Sequence, residues 1–202
     1  MLLGLVLYAL GIVMTMKAGI GFAPWDVFHA GLSKVTGLSV GTASIIAGVA
    51  VLILVTALGE KLGLGTLGGM ILLGIFIDII LKWASALPAV SNIAAGAAIL
   101  VAGLFVISLG SWFYLKAAFG VGPRDNLMVV LARKTKLPVG LCRGIVELLV
   151  TLAGWLLGGP VGIGTMVTAV AIGLCFQLTF QLFRFDPKAV RHETLRDTIR
   201  AI

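Results

Sequence analysis

The chain carries one glycine-rich motif twice, and this internal repeat constrains its fold more than any other feature. Residues 19–26 read GIGFAPWD, and 99 positions later residues 118–125 read AFGVGPRD. The register continues without a gap beyond the motif, so that Gly74 corresponds to Gly173. A duplication of this kind predicts two related halves with the same architecture.

The composition places both halves in a membrane. Hydrophobic residues make up 60% of the chain and charged residues 11%, with a mean hydropathy of +1.16. A soluble domain is about half apolar and about a quarter charged, so we expect the surface of this protein to contact a lipid bilayer. The net charge of +7 then reflects basic loops on the cytoplasmic side, and we expect no nucleic-acid partner.

The pattern of apolar runs predicts an all-α transmembrane protein with about six spans, since a span needs about 20 apolar residues. Each half contains three spans and a short helix after its glycine-rich motif. The short helix of the first half, residues 24–36, is too short to cross a bilayer core, so we expect it to be re-entrant or interfacial. The predicted spans are 1–16, 39–58, 66–81, 93–115, 137–157 and 165–183.

These spans divide the chain into four predicted parts. Residues 1–83 form repeat 1, 84–92 a linker, 93–183 repeat 2 and 184–202 an amphipathic cytoplasmic tail. Because three spans per half is an odd number, the second half enters the membrane from the opposite side, which gives a 3+3 inverted-topology repeat. Basic residues concentrate in 118–136 and in the tail. This distribution favours a bacterial inner membrane protein with both termini in the cytoplasm.

The two copies of the motif are the first candidates for a binding site. Each copy leads to a proline that suits the first turn of a helix, followed by Asp26 or Asp125. Gly21 and Gly120 would allow the backbone to approach a ligand, and a free helix N-terminus favours an anion. Alternatively, the carboxylates complement the N–H groups of the same helix turn, and the glycines serve only tight turns. The sequence leaves both interpretations open.

Further charged residues are candidates in the second half. Arg143 and Glu147 lie one helical turn apart in a predicted span, where ionisable groups are costly and usually face the interior of a bundle. They are expected either to neutralise each other or to bind a substrate or a proton. Arg124 corresponds to the neutral Trp25 of the first half, so a site between the halves would not be charge-symmetric. Trp25 itself is expected to anchor a helix end at the membrane interface.

Three other polar residues carry weaker signals. Asp78 corresponds to Gln177 in the repeat and lies one turn before Lys82, so a local ion pair is the simplest expectation. Gln177 is expected to line a cavity or to hold helices together. His29 lies one turn after Asp26, and we expect it to be solvated at the interface, with a pH-dependent role as the alternative. No set of residues indicates an enzyme, and we expect neither a cofactor nor a metal.

The motifs resemble those of the YczE/YyaS/YitT family of bacterial integral membrane proteins, and the similarity covers residues 4–183. The residues that carry it are the motifs at 19–26 and 120–125, the pattern VGxxRxxxE at 139–147 and the segment GWLLGGxxGIGT at 154–165. The resemblance implies a small polytopic protein of the bacterial inner membrane. It leaves the substrate open.

The sequence therefore favours a secondary transporter or facilitator of a small polar or anionic metabolite that binds between the two repeats. Asp26, Asp125, Arg124, Arg143 and Glu147 are expected to line or gate this site. The alternative is a membrane-embedded accessory or regulatory protein that acts through a protein partner, with the basic tail as its docking element. A chain with so few short spans is also a candidate for a homodimer.

Overall fold

The computed structural model describes residues 1–59, 64–88, 90–117, 122–137 and 139–185, and every regular element in this part of the chain is an α-helix. Gly120, the side chain of Asp125 and the tail from residue 186 onward lie outside the described residues. The helices are α1 Leu2–Lys17, α2 Pro24–Thr36, α3 Val40–Ala57, α4 Leu64–Ala84, α5 Ile93–Lys116, α6 Pro123–Thr135, α7 Val139–Leu156 and α8 Ile163–Leu182.

Local signals set several of the helix ends. Pro24 occupies the first turn of α2, where its missing N–H costs no hydrogen bond. The same helix ends at Gly37, whose φ of 73° is a left-handed conformation that glycine adopts without strain. The side chain of Ser39 accepts a hydrogen bond from Thr42 N at the start of α3. The bounds of α2 agree with the sequence prediction because these signals lie within the helix and its flanking residues.

Four helices, α3, α4, α5 and α8, are long and apolar enough to cross a bilayer. Helix α1 is apolar but has only 16 residues. Helix α7 has 18 residues and carries Arg143 and Glu147. The all-helical transmembrane class is thus confirmed with four candidate spans, while the six-span inverted repeat stays a prediction.

Helices α1 and α5 pack against each other in antiparallel orientation at the centre of the fold. An added Cβ on Gly4 would lie 2.8 Å from the carbonyl oxygen of Gly110, and one on Gly11 would lie 2.7 Å from that of Gly103. The two backbones are therefore closer than side chains would permit, which is a common way for helices to pack in bilayers. Leu104 lies in the adjoining core and is fully buried.

The two short helices pack between the two predicted halves. Helix α2 contacts α3 and α7, and helix α6 also contacts α3 and α7. Helix α4 packs on α1 and α3, whereas α8 packs mainly on α5. In the described residues, α7 and α8 hardly touch each other. Because α7 and α8 hardly touch, there is room for a cavity between them.

Candidate functional site

The loop before α2 is fastened to the start of α8. Gly164 N donates a hydrogen bond to Ile20 O at 2.7 Å. Gly21 has a φ of 117°, and an added Cβ there would lie 2.7 Å from Gly162 N. Both the positive φ and the close approach exclude a larger residue at this position. The glycines of the motif therefore position the first turn of α2 against the other half of the chain.

Asp26 and His29 lie on one buried face of α2, and they are 3% and 0% exposed. Asp26 Oδ1 lies 3.5 Å from His29 Nδ1, and Arg124 Nη2 of α6 lies 3.2 Å from His29 Nε2. Because a guanidinium can only donate, Nε2 must accept this hydrogen bond, which leaves the ring proton on Nδ1, facing Asp26. A second ring proton would place two cations 3.2 Å apart, so the arrangement favours a neutral imidazole. The expectation of a solvated His29 is wrong.

Arg124 meets the residue that corresponds to it in the repeat. Its guanidinium carbon lies 4.8 Å from the centroid of the Trp25 ring, a favourable cation–π geometry. Nη2 also donates to Ser44 Oγ at 3.4 Å. Trp25 is only 8% exposed, so the expectation that it anchors the membrane interface is wrong. Equivalent positions of the two halves therefore come together at the starts of α2 and α6.

Arg143 and Glu147 form the ion pair that their spacing predicts. Arg143 Nε donates to Glu147 Oε1 at 2.8 Å, and the two side chains are 34% and 11% exposed. The pair neutralises two charges that would be costly separately in a membrane protein. Both side chains nevertheless border the same space as Asp26, so their pairing does not remove them from a binding site.

That space is a cavity of about 70 Å³ between the predicted halves. We call it the charged cavity. Its charged lining residues are Asp26, Arg124, Arg143 and Glu147, which are four of the residues singled out from the sequence. Residues of α1, α2, α5, α6, α7 and α8 line it. Its volume suits a few water molecules or one small solute. Among the described residues, no group of three or more His, Cys, Asp or Glu is arranged to hold a metal ion.

A second cavity of about 90 Å³ adjoins the charged cavity. We call it the neutral-walled cavity, since Arg124 is the one charged residue among its described lining residues. Tyr8 and Arg124 border both cavities and therefore form the partition between them. Gly69 of the neutral-walled cavity corresponds in the repeat to Thr168 of the charged cavity. The two cavities thus occupy related places in the two halves.

Several buried polar atoms at the charged cavity have no hydrogen-bond partner within the described part of the chain. They are Trp25 Nε1, Asp26 Oδ1 and Thr168 Oγ1, and all three residues line the cavity. An unpaired buried polar group costs about 1–3 kcal/mol. Three residues that line one cavity thus leave a donor, an acceptor and a hydroxyl group unpaired, which are the groups that a polar ligand would satisfy.

Asp78 and Gln177 lie apart from both cavities. Asp78 accepts hydrogen bonds from Ser39 Oγ and from Gly41 N, the latter at 2.7 Å, so it caps the start of α3 instead of pairing with Lys82. Gln177 is exposed on α8. Neither side chain is brought to Asp26, and the structure gives Asp78 a role in joining α3 to α4.

The structure also adds residues that sequence reasoning did not place at the site. His29, Tyr8 and Thr168 belong to the site or its borders. The spacing of three between Asp26 and His29 was a usable signal, because residues three apart share a helix face. Tyr8 and Thr168 carry no comparable signal, since tyrosine and threonine are ordinary residues of apolar helices.

Comparison with known proteins agrees with the assignment of this chain to a membrane. Residues 1–181 match the model of a family of unknown function, DUF6198. The uncharacterised membrane protein YczE of Bacillus subtilis is 36% identical over 179 residues, which cover 87% of this chain and 81% of that protein. An uncharacterised protein of Haemophilus influenzae is 32% identical over 180 residues, with 87% and 81% covered.

A third relative extends the similarity over nearly the whole chain. The uncharacterised protein YyaS of Bacillus subtilis is 30% identical over 194 residues, which cover 94% of this chain and 92% of that protein. No solved structure matches the chain. The chain belongs to the DUF6198 family, and it is similar to the membrane protein YczE and to the protein YyaS.

Proposed function

We propose that this chain is a secondary transporter or facilitator that carries a small polar or anionic solute across the bacterial cytoplasmic membrane. The observation that carries the proposal is the charged cavity, where Trp25, Asp26 and Thr168 bury polar atoms without partners. These groups are already desolvated by the fold, so a solute that hydrogen-bonds to them gains their full interaction in a low-dielectric site.

The contacts between α1 and α5 support an inverted-topology repeat as the architecture of this transporter. At the repeat offset, Gly4 corresponds to Gly103 and Gly11 to Gly110. Gly4 packs on Gly110 and Gly11 packs on Gly103, so equivalent positions exchange partners as they would around a twofold axis. Because the two helices are antiparallel, such an axis lies perpendicular to them and hence in the membrane plane.

The two short helices fit the same architecture. Transporters of this kind bind substrates near the bilayer midplane, where interrupted helices of the two repeats meet. Here α2 and α6 each begin at a proline, and their first turns meet through Trp25 and Arg124. In this proposal α1, α3, α4, α5, α7 and α8 span the membrane, α2 and α6 are re-entrant, and both termini are cytoplasmic.

The two adjoining cavities provide a path for the solute through the protein. They are separated by Tyr8 and Arg124, and they occupy related places in the two halves. A solute would pass from one cavity to the other when the halves rock against each other, which is how inverted repeats alternate access.

Uptake by the full-length protein in proteoliposomes tests this proposal. A panel of radiolabelled small acids, amino acids and neutral polar solutes would be offered to wild type, Asp26→Asn and Glu147→Gln. We expect uptake of at least one solute, reduced at least tenfold in both variants, with unchanged amounts of folded protein. Asp78→Asn is the matched control, because this carboxylate caps α3 away from the cavity. Undiminished uptake in both cavity variants would contradict the proposal.

A further inference from the structure

The charges of the charged cavity are not all paired with one another. Arg143 and Glu147 neutralise each other at 2.8 Å. Arg124 differs, because its recorded partners are an imidazole nitrogen, a hydroxyl group and an indole face, all of them neutral. It forms no ion pair with any carboxylate that the structure describes, and the side chain of Asp125 is not among these. The guanidinium therefore remains available to an anionic group.

The opposite charge is present in the same cavity. Asp26 is 3% exposed, and the contact between its Oδ1 and His29 Nδ1, at 3.5 Å, is too long for a full hydrogen bond, so this oxygen can accept another one. Thr168 is 2% exposed, and its hydroxyl group is without a partner among the described residues. A buried carboxylate and a hydroxyl group in the lining of one cavity are suitable acceptors for an ammonium group. The indole N–H of Trp25, likewise unpaired, adds a donor beside Arg124 for an anion.

His29 sets the separation of the Arg124 guanidinium and the Asp26 carboxylate. Arg124 contacts one ring nitrogen at 3.2 Å and Asp26 faces the other at 3.5 Å, so one imidazole ring separates the guanidinium from the carboxylate. A solute with an ammonium and a carboxylate group on one carbon, making a hydrogen bond of about 2.9 Å at each end, covers a similar distance.

We infer that the charged cavity binds a small zwitterion, with its carboxylate at Arg124 and Trp25 and its ammonium group at Asp26 and Thr168. This inference rests on the proposed transport function and narrows the substrate class to short-chain amino acids. A zwitterion compensates both buried charges without bringing a net charge into the membrane, where an uncompensated charge is costly. The small volume, about 70 Å³, suits the smallest amino acids.

Three probes with one carbon skeleton test the inference. L-alanine carries both charged groups, propionate lacks the ammonium group and ethylammonium lacks the carboxylate. Binding to the detergent-purified full-length protein would be measured by calorimetry and by the shift in melting temperature that a ligand of the folded state causes. We expect L-alanine to bind at least 30-fold more tightly than either of the others.

Variants of the lining residues show which of them contacts each charged group of L-alanine. Asp26→Asn should weaken L-alanine binding at least tenfold and strengthen propionate binding, because it removes a negative charge from the cavity that this anion enters. Thr168→Val should weaken L-alanine binding about threefold, and it supplies a second test if Asp26→Asn folds poorly. Asp78→Asn, with its carboxylate away from the cavity, should bind L-alanine as the wild type does.

The outcomes separate this inference from the proposed function. Propionate binding as tight as that of L-alanine, or L-alanine binding that is unchanged in both cavity variants, overturns the zwitterion site. If L-alanine, glycine and β-alanine all fail to bind while another solute is taken up by proteoliposomes, the inference falls and the transporter stands. If no solute of the panel is taken up and none binds, both fall.

Discussion

The charged cavity and the neutral-walled cavity occupy related places in the two halves, but they differ in their walls. Thr168 and Ile172 of α8 line the charged cavity, and the corresponding residues Gly69 and Leu73 of α4 line the other. The described residues of α3 do not line the neutral-walled cavity, whereas α7 supplies the Arg143–Glu147 pair to the charged one. The two cavities therefore differ in one wall, which α7 forms at the charged cavity and which α3 does not form at the other.

This difference in the walls depends on how α3 packs against α4 and how α7 packs against α8. In the first half, α3 is sealed against α4: Gly41 contacts Gly74, Gly48 accommodates Met70, and Asp78 caps α3. Backbone contact at glycines leaves no room for a solute between these helices.

The second half lacks this seal in its described residues. Glu147 stands where the first half has Gly48, so a charged side chain occupies the place of a helix contact. Gly173, the counterpart of Gly74, faces open space, and Gln177, the counterpart of Asp78, is exposed. A few residues that differ between the halves thus distinguish a sealed helix contact in the first half from a polar site in the second.

The largest difference in stability is expected between Gly74→Val in α4 and Gly173→Val at the corresponding position of α8. Gly74→Val should destabilise the protein by about 3 kcal/mol, since overpacking a well-packed contact costs about 1–3 kcal/mol. An added Cβ at Gly74 would lie 2.5 Å from Ile45 Cγ1 and 2.7 Å from Gly41 O. Gly173→Val, the matched control, should change stability by no more than about 0.5 kcal/mol.

Thermal unfolding in detergent measures both variants. For a chain of this length, 1 kcal/mol corresponds to about 2–4 °C in the melting temperature. Equal shifts for Gly74→Val and Gly173→Val would show that α7 and α8 are sealed as closely as α3 and α4.

A double variant should convert the open wall into a sealed one. Arg143→Ser with Glu147→Gly gives α7 the residues of α3, so α8 is expected to approach α7 and to shield Thr168. Labelling of Thr168→Cys by a water-soluble thiol reagent should then fall about tenfold, an effect of about 1.4 kcal/mol. The background would carry alanine at the two native cysteines, which are buried.

The other cavity supplies the control for this variant. Ser111 lines the neutral-walled cavity, so labelling of Ser111→Cys should not change when α7 is altered. Unchanged labelling at Thr168→Cys would mean that residues other than Arg143 and Glu147 hold α7 and α8 apart.

The smallest effect on stability is expected at Asp78 of α4 and at Gln177, the corresponding residue of α8. Asp78→Ala removes the cap of α3 and should cost about 1 kcal/mol. Gln177→Ala removes an exposed side chain and should stay within about 0.5 kcal/mol. Melting temperatures of the two variants give the comparison, and a shift for Gln177→Ala as large as that for Asp78→Ala would assign Gln177 a contact of similar strength.

Much of the secondary structure was predictable because its signals are local. Pro24 and Gly37 mark the two ends of α2, and both lie at or beside the helix. The ion pair of Arg143 and Glu147 follows from their spacing of four in one helix. Neither prediction needs information about how distant helices pack.

The composition of the site was predictable only in part. Asp26, Arg124, Arg143 and Glu147 were found because charged residues are rare in an apolar chain, and their rarity alone makes them candidates. Asp78 was a candidate for the same reason, yet it caps α3. His29 was expected at the surface, although it is fully buried between Asp26 and Arg124.

The amino-acid sequence is sufficient to show that this is a helical membrane protein, where several helices begin and end, and that its motif occurs twice. These properties follow from composition, local turn chemistry and residue spacing. The packing of distant helices sets which charged residues share a cavity, brings Trp25 and Arg124 together, and seals α3 against α4 while the described residues of α7 hardly touch α8. Those outcomes depend on glycine contacts between helices distant in sequence, and the strength of such contacts depends on the shapes of both partners together.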